Sequence, residues 1–158
     1  MSKIGFKCPD LLWTPEDLAA RLDDPSVKVV DFRPGERYSM GHIPGARHYA
    51  IYAVNCDDTD EAPLASFVRI WAFLLGNRGF LFDDTIVICG EITGMTAARG
   101  FWFLEYLGHR DVHILDGGYS AWVAAGLPTT RDADVSSATP FKFNLQPARL
   151  ATTRMCCV

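Results

Sequence analysis

One of the five cysteines, Cys89, stands where this sequence best supports nucleophilic chemistry. It ends an apolar, β-branched run at residues 85–88, and a loop bracketed by Gly90 and Gly94 follows it. Such a loop, when it leads into a helix, aims several backbone N–H groups at one point and stabilises an anion there. The same field lowers the pKa of a thiol. We therefore predict a catalytic Cys89 that is open to solvent, with a pKa below the usual value of about 8.5.

The competing interpretation is that Cys89 is a small packing residue, which is common where a cysteine ends a buried strand. The other cysteines are Cys8, Cys56, Cys156 and Cys157, at irregular spacings that do not indicate a disulfide framework. No CxxC pair and no cysteine–histidine pair at zinc spacing occurs, so we expect neither a metal nor an organic cofactor. Cys156 and Cys157 lie near the carboxyl end, where a role as a thiol relay competes with no role.

Further charged residues are expected near Cys89. The whole anion-binding loop is predicted to comprise Gly90, Glu91, Ile92, Thr93, Gly94, Met95 and Thr96, with Thr96 capping the next helix. Glu91 should face solvent, because a carboxylate turned inward would repel a thiolate. Arg99 follows one helical turn later, where it either adds positive charge near a bound anion or lies on the surface.

Three more residues come from an earlier strand and the turn after it. Asp31 and Arg33 end that strand at the same sheet edge as Cys89, so they either line the pocket or form an ion pair that fixes the next loop. His42 lies in a glycine- and proline-rich turn, which favours a structural hydrogen bond over a place in the site.

The elements that position these residues alternate along the chain. A helix should start at Thr14, whose hydroxyl can cap it before Pro15. Strands are predicted at 27–32, 47–50, 85–89 and 112–115, and further helices at 64–75, 96–107 and 119–125, with one helical turn before Gly41. This alternation implies parallel pairing through right-handed crossovers, hence an α/β fold. The last dozen residues look poorly anchored.

Length and charge narrow the function classes. The 158 residues suit a single domain, and 49% of them are hydrophobic. The net charge of −4 gives no positive field for nucleic acid or anionic lipid, so we expect neither a nucleic-acid nor a membrane partner. The amino end lacks a continuous apolar segment followed by a cleavage site, which favours a cytoplasmic protein.

Two motifs extend the argument beyond Cys89. Asp31-Phe32-Arg33 precedes Gly41-His42-Ile43-Pro44-Gly45-Ala46, and Asp116-Gly117-Gly118 precedes Trp122. Together with the central cysteine they resemble the rhodanese (sulfurtransferase) family over about residues 14–128. The resemblance implies a central parallel sheet with helices on both faces, and a cysteine, Cys89, that accepts a sulfane sulfur. Residues 1–13 and 129–158 would flank this domain as an amino-terminal segment and a carboxyl-terminal tail.

The loop departs from the family pattern. Active sulfurtransferases of the family usually close it at the sixth position with Arg or Thr, where this chain has Gly94. Phosphatase relatives close it at the seventh position with Arg, where this chain has Met95. The loop most resembles the first domain of tandem thiosulfate or mercaptopyruvate sulfurtransferases, which usually carries Asp instead of Cys and is noncatalytic.

Three hypotheses remain. In the first, the Cys89 thiolate takes sulfur from a small anionic donor such as thiosulfate, holds it as a persulfide and passes it to cyanide or a thiol. In the second, the domain is a noncatalytic binding or regulatory module with a protein partner, or the first half of a tandem sulfurtransferase. The third, a cysteine-dependent phosphatase or arsenate reductase, is disfavoured by the loop.

Overall fold

The fold is built on a five-stranded sheet in which every pairing is parallel, in the order β1-β5-β4-β2-β3. The computed structural model describes residues 8–50, 55–56 and 58–151. The strands are β1 (Leu12–Trp13), β2 (Val27–Asp31), β3 (Arg47–His48), β4 (Thr85–Cys89) and β5 (Val112–Leu115). The predicted α/β class with a parallel sheet is confirmed.

Helices cover both faces of this sheet, as the family resemblance implies. They are α1 (Pro15–Ala19), α2 (Gly35–Met40), α3 (Glu61–Asn77), α4 (Met95–Tyr106) and α5 (Gly118–Ala124). The larger core lies between the sheet and α3 and α4, where aromatic rings such as Trp71 and Phe103 pack together. The smaller core lies on the opposite face, where Trp122 of α5 and Leu18 of α1 are fully buried.

Local sequence signals explain where most elements begin and end. Thr14 caps α1 through a reciprocal pair of hydrogen bonds with Asp17, so the predicted cap is confirmed. The single helical turn predicted before Gly41 corresponds to α2. The predicted cap at Thr96 is wrong, because α4 begins at Met95 with Gly94 as its N-cap. Thr96 therefore lies inside the first turn of α4.

The tail after α5 packs on the domain. Thr130 pairs with His42 through two backbone hydrogen bonds of 2.9 Å, and Phe141 is buried in the larger core. The indole N–H of Trp102 donates to the carbonyl of Arg149 at 2.7 Å. The expectation of a poorly anchored end is therefore wrong for residues 147–150. Cys156 and Cys157 lie outside the described residues.

The helices of the described ranges were compared with the length of a membrane span. None of them combines the length and the apolar character that a bilayer-crossing helix requires.

Candidate functional site

The carboxyl ends of β2 and β4 lie side by side and form a cradle. Asp31 pairs in register with Cys89, and the amide of Phe32 donates to the Cys89 carbonyl at 2.9 Å. The segments that leave these two strands enclose a cavity of about 270 Å³. We call it the cradle; its lining residues are Phe32, Arg33, Pro34, Gly90, Glu91, Ile92, Gly94, Met95 and Thr96.

The start of α5 holds the cradle loop in place. The amide of Tyr119 donates to the Gly90 carbonyl at 2.8 Å, and the amide of Ser120 donates to the Glu91 carbonyl at 3.1 Å. Thr93 does not line the cavity; its hydroxyl accepts from the amide of Gly117 at 2.5 Å. The Asp-Gly-Gly motif therefore helps to fix the loop that follows Cys89, through the Gly117 amide and through the Asp116 carboxylate, which accepts from the Thr93 hydroxyl at 3.2 Å.

Gly118 is required at this junction for two reasons. Its φ is +62°, in the left-handed region, and a Cβ there would lie 2.5 Å from the Gly90 carbonyl oxygen. We expect Gly118→Ala to lower the free energy of unfolding by about 2–4 kcal/mol, from backbone strain and overpacking together.

Gly126→Ala is the matched control, because Gly126 has a φ of +70° with nothing within 4 Å of its would-be Cβ. It should cost only about 1 kcal/mol in the same urea unfolding experiment. Equal losses in the two variants would contradict the close approach of Gly118 to the loop.

Asp31 and Arg33 form a buried ion pair beneath the cradle. Asp31 has no exposed surface and Arg33 is 2% exposed. The Arg33 Nη2 group donates to Asp31 Oδ2 at 2.7 Å and to the Gly41 carbonyl at 2.8 Å, which ties β2 to the end of α2. The predicted ion pair that fixes the following loop is thus present, and Arg33 also lines the cavity.

Arg33 links this pair to both neighbouring elements. Its guanidinium lies over the Tyr119 ring, 3.6 Å from the ring centroid, and Nη1 lies 3.8 Å from Glu91 Oε2. Burial alone lowers the pKa of Arg33, but the hydrogen bonds and charge of Asp31 outweigh it and the pKa is raised. Arg33 therefore stays charged.

Cys89 is fully buried, so the expectation that it is open to solvent is wrong. Its side chain packs with Val87 and Trp122 in the smaller core, whereas Ile86 and Ile88 face the larger core. Cys89 is not among the described residues that line the cradle. Strand β4 thus directs the Cys89 thiol into the smaller core. The cradle is lined instead by the next residue, Gly90.

The predicted lowering of the thiol pKa is also wrong. Burial raises the pKa of Cys89 well above its usual value, and the negative charge of Asp31 raises it further. The Arg33 guanidinium and the amide of Tyr119 act in the opposite direction without reversing the shift. The thiol instead donates to the Gly90 carbonyl, with Sγ 3.5 Å from the oxygen.

The remaining predicted neighbours divide between the cradle and other places. Glu91 is half exposed, as expected, although its carboxylate also reaches Arg33. His42 is buried as a structural hydrogen-bonding residue, with ring nitrogens 3.0 Å from the Tyr38 carbonyl and 3.1 Å from the Asp132 carbonyl. Arg99 lies on a different cavity, where Nη2 donates to Asn55 Oδ1 at 2.9 Å, so of its two predicted alternatives the place near the anion-binding loop is not the one observed.

Two sets of residues at the cradle were not predicted from the sequence. Phe32 and Pro34 line the cavity because β2 and β4 end in register, which is visible only once the strand order is known. Tyr119 stacks on Arg33 from α5, far along the chain.

In the described ranges, no group of three or more His, Cys, Asp or Glu residues is arranged to hold a metal ion.

The doubly wound sheet and the glycine-bracketed loop after its central strand define a rhodanese-like domain. The family model of the rhodanese-like domain matches residues 14–125, and the chain belongs to this family.

Proteins similar to this chain in sequence are named as sulfurtransferases. The chain is 38% identical over 151 residues to the "Probable 3-mercaptopyruvate sulfurtransferase" of Pseudomonas aeruginosa, covering 86% of this chain and 52% of that protein. It is 31% identical over 142 residues to the thiosulfate sulfurtransferase of the same organism, covering 90% and 52%. The chain therefore spans about half the length of these relatives.

The fold also matches solved structures. SseA from Escherichia coli, a 3-mercaptopyruvate sulfotransferase, superposes with a TM-score of 0.79 at 24% identity, covering 91% of this chain and 59% of that one. At this identity the match supports the fold alone.

Proposed function

We propose that this chain serves sulfur transfer as a rhodanese-like module that does not itself carry the sulfur on Cys89. The observation that carries the proposal is the position of the Cys89 thiol, which is buried against α5 rather than placed in the cradle. A nucleophilic thiol must meet its donor as a thiolate, and burial opposes both contact and ionisation.

The relatives support sulfur transfer as the reaction to which the module contributes. Those named as thiosulfate and 3-mercaptopyruvate sulfurtransferases are matched over 52% of their length. The sulfur-carrying residue of such a protein need not lie in the matched half. In this proposal the module contributes a rigid cradle and its surroundings, held by the backbone of α5 and the Asp31–Arg33 pair.

A second candidate is sulfur transfer through Cys89 itself, and one observation favours it. The Arg33 guanidinium and the Tyr119 amide both lower the pKa of this thiol, so the site carries groups that would stabilise a thiolate once it is exposed. The thiolate would attack the outer sulfur of thiosulfate, the S–S bond would break, and sulfite would leave with its electron pair. The Cys89 persulfide would then pass its outer sulfur to cyanide or a thiol.

Intact mass spectrometry after incubation with thiosulfate separates the two candidates. We expect no sulfur addition that depends on Cys89, because the buried thiol does not meet the donor. A thiosulfate sulfurtransferase loaded under the same conditions is the positive control.

Matched cysteine variants locate any sulfur that is added. Cys89→Ser, Cys89→Ala and Cys8→Ser are compared with the parent chain, since Cys8 is exposed and does not line the cradle. A gain of one sulfur atom that survives in Cys8→Ser and disappears in both Cys89 variants would overturn the proposal and establish the persulfide mechanism.

A further inference from the structure

Arg33 presents one part of its guanidinium to the cradle. Its Nε and Nη2 groups are bound to Asp31, and Nη2 also donates to the Gly41 carbonyl. Nη1 instead lies 3.8 Å from Glu91 Oε2. Arg33 lines the cavity and is 2% exposed, whereas the Glu91 side chain beside Nη1 is 50% exposed.

The start of α5 holds the backbone of Glu91. Its carbonyl accepts from the Ser120 amide at 3.1 Å, and the preceding Gly90 carbonyl accepts from the Tyr119 amide at 2.8 Å. The Ser120 hydroxyl also lies 3.5 Å from Glu91 Oε1. The carboxylate, although half exposed, therefore lies at the cradle rim between Arg33 and Ser120.

The charges around the cradle repel a strongly negative ligand. Asp31 already neutralises Arg33, so the Glu91 carboxylate makes this group of three side chains net negative. The amino end of α4, capped by Gly94 without a side-chain hydrogen bond, contributes only the partial positive charge of its helix dipole.

We propose that Glu91 determines the charge of the ligand that the cradle accepts. Its carboxylate competes for Nη1 of Arg33 and repels a second negative charge, so the cradle favours small ligands with one negative charge over those with two. This selection concerns the cradle and not the thiol, so sulfur uptake at Cys89 would overturn the function proposed above and leave this inference standing.

The test follows the backbone amide signals of residues 90–96 by NMR during titrations with sodium nitrate and sodium sulfate at constant ionic strength. In the parent chain, nitrate should bind more tightly than sulfate. Glu91→Gln should raise the affinity for sulfate about tenfold, because one repulsive charge is removed and the group that competes for Arg33 becomes neutral. The affinity for nitrate should rise less.

Glu61→Gln is the matched control, because it removes the same charge from an exposed residue at the start of α3. It should leave both affinities unchanged. The inference is overturned if Glu91→Gln and the parent chain bind sulfate equally, if the parent chain prefers sulfate to nitrate, or if neither anion shifts the amides in either protein.

Discussion

Arg33→Met should lower the free energy of unfolding by about 3–5 kcal/mol. The substitution leaves the Asp31 carboxylate fully buried without its cation, and it breaks the link to the Gly41 carbonyl. Removing one partner of a buried ion pair costs more than the pair contributes, because the remaining charge is desolvated and uncompensated. Urea unfolding monitored by fluorescence and circular dichroism measures the loss.

Two further variants separate this effect from a general loss of arginine. Arg149→Met removes one partner of a more exposed ion pair, in which Arg149 Nη2 lies 3.2 Å from Glu105 Oε1, and should cost no more than about 1 kcal/mol. The double variant Asp31→Asn/Arg33→Met should recover part of the loss, because no charge is left buried. A double variant as unstable as Arg33→Met would contradict the uncompensated-charge explanation.

Local chemistry made much of the fold predictable. The β-branched runs of β2 and β4 and the cap at Thr14 depend on neighbours within a few residues, so the sequence contains their full signal. β1 escaped prediction because only its pairing with β5 defines it. The start of α4 was misplaced because both Gly94 and Thr96 are acceptable N-cap residues.

The candidate site was predictable in place but not in orientation. A loop after a central parallel strand is the expected position for a ligand, and the cradle lies there. The direction of the Cys89 side chain was not predictable, because β4 is apolar on both faces and its alternation gives no sign of which face is which. Cys89 and Trp122 share the smaller core, and only the fold brings residues this distant in the chain together.

The reactivity of Cys89 should reflect this burial. In the native protein at neutral pH, we expect iodoacetamide to alkylate Cys89 slower than Cys8 by roughly a hundredfold or more, because the thiol reacts only after the structure opens. Site-by-site rates come from peptide mass spectrometry of samples quenched over time. Urea below the unfolding midpoint should accelerate Cys89 and leave the exposed Cys8 nearly unchanged.

The pH dependence gives the same hypothesis a second measurable consequence. Because burial raises the pKa of the folded Cys89 thiol, the unfolded chain loses this proton first as the pH rises. The contribution of Cys89 to stability is therefore fully present below the unfolded thiol pKa of about 8.5 and declines above it. Cys89→Ala removes this ionisation, so the alkaline decline in unfolding free energy should be shallower in that variant. If native Cys89 is instead alkylated as fast as Cys8, with a rate that levels off below pH 8, the thiol is an exposed and activated nucleophile and the persulfide mechanism gains the stronger support.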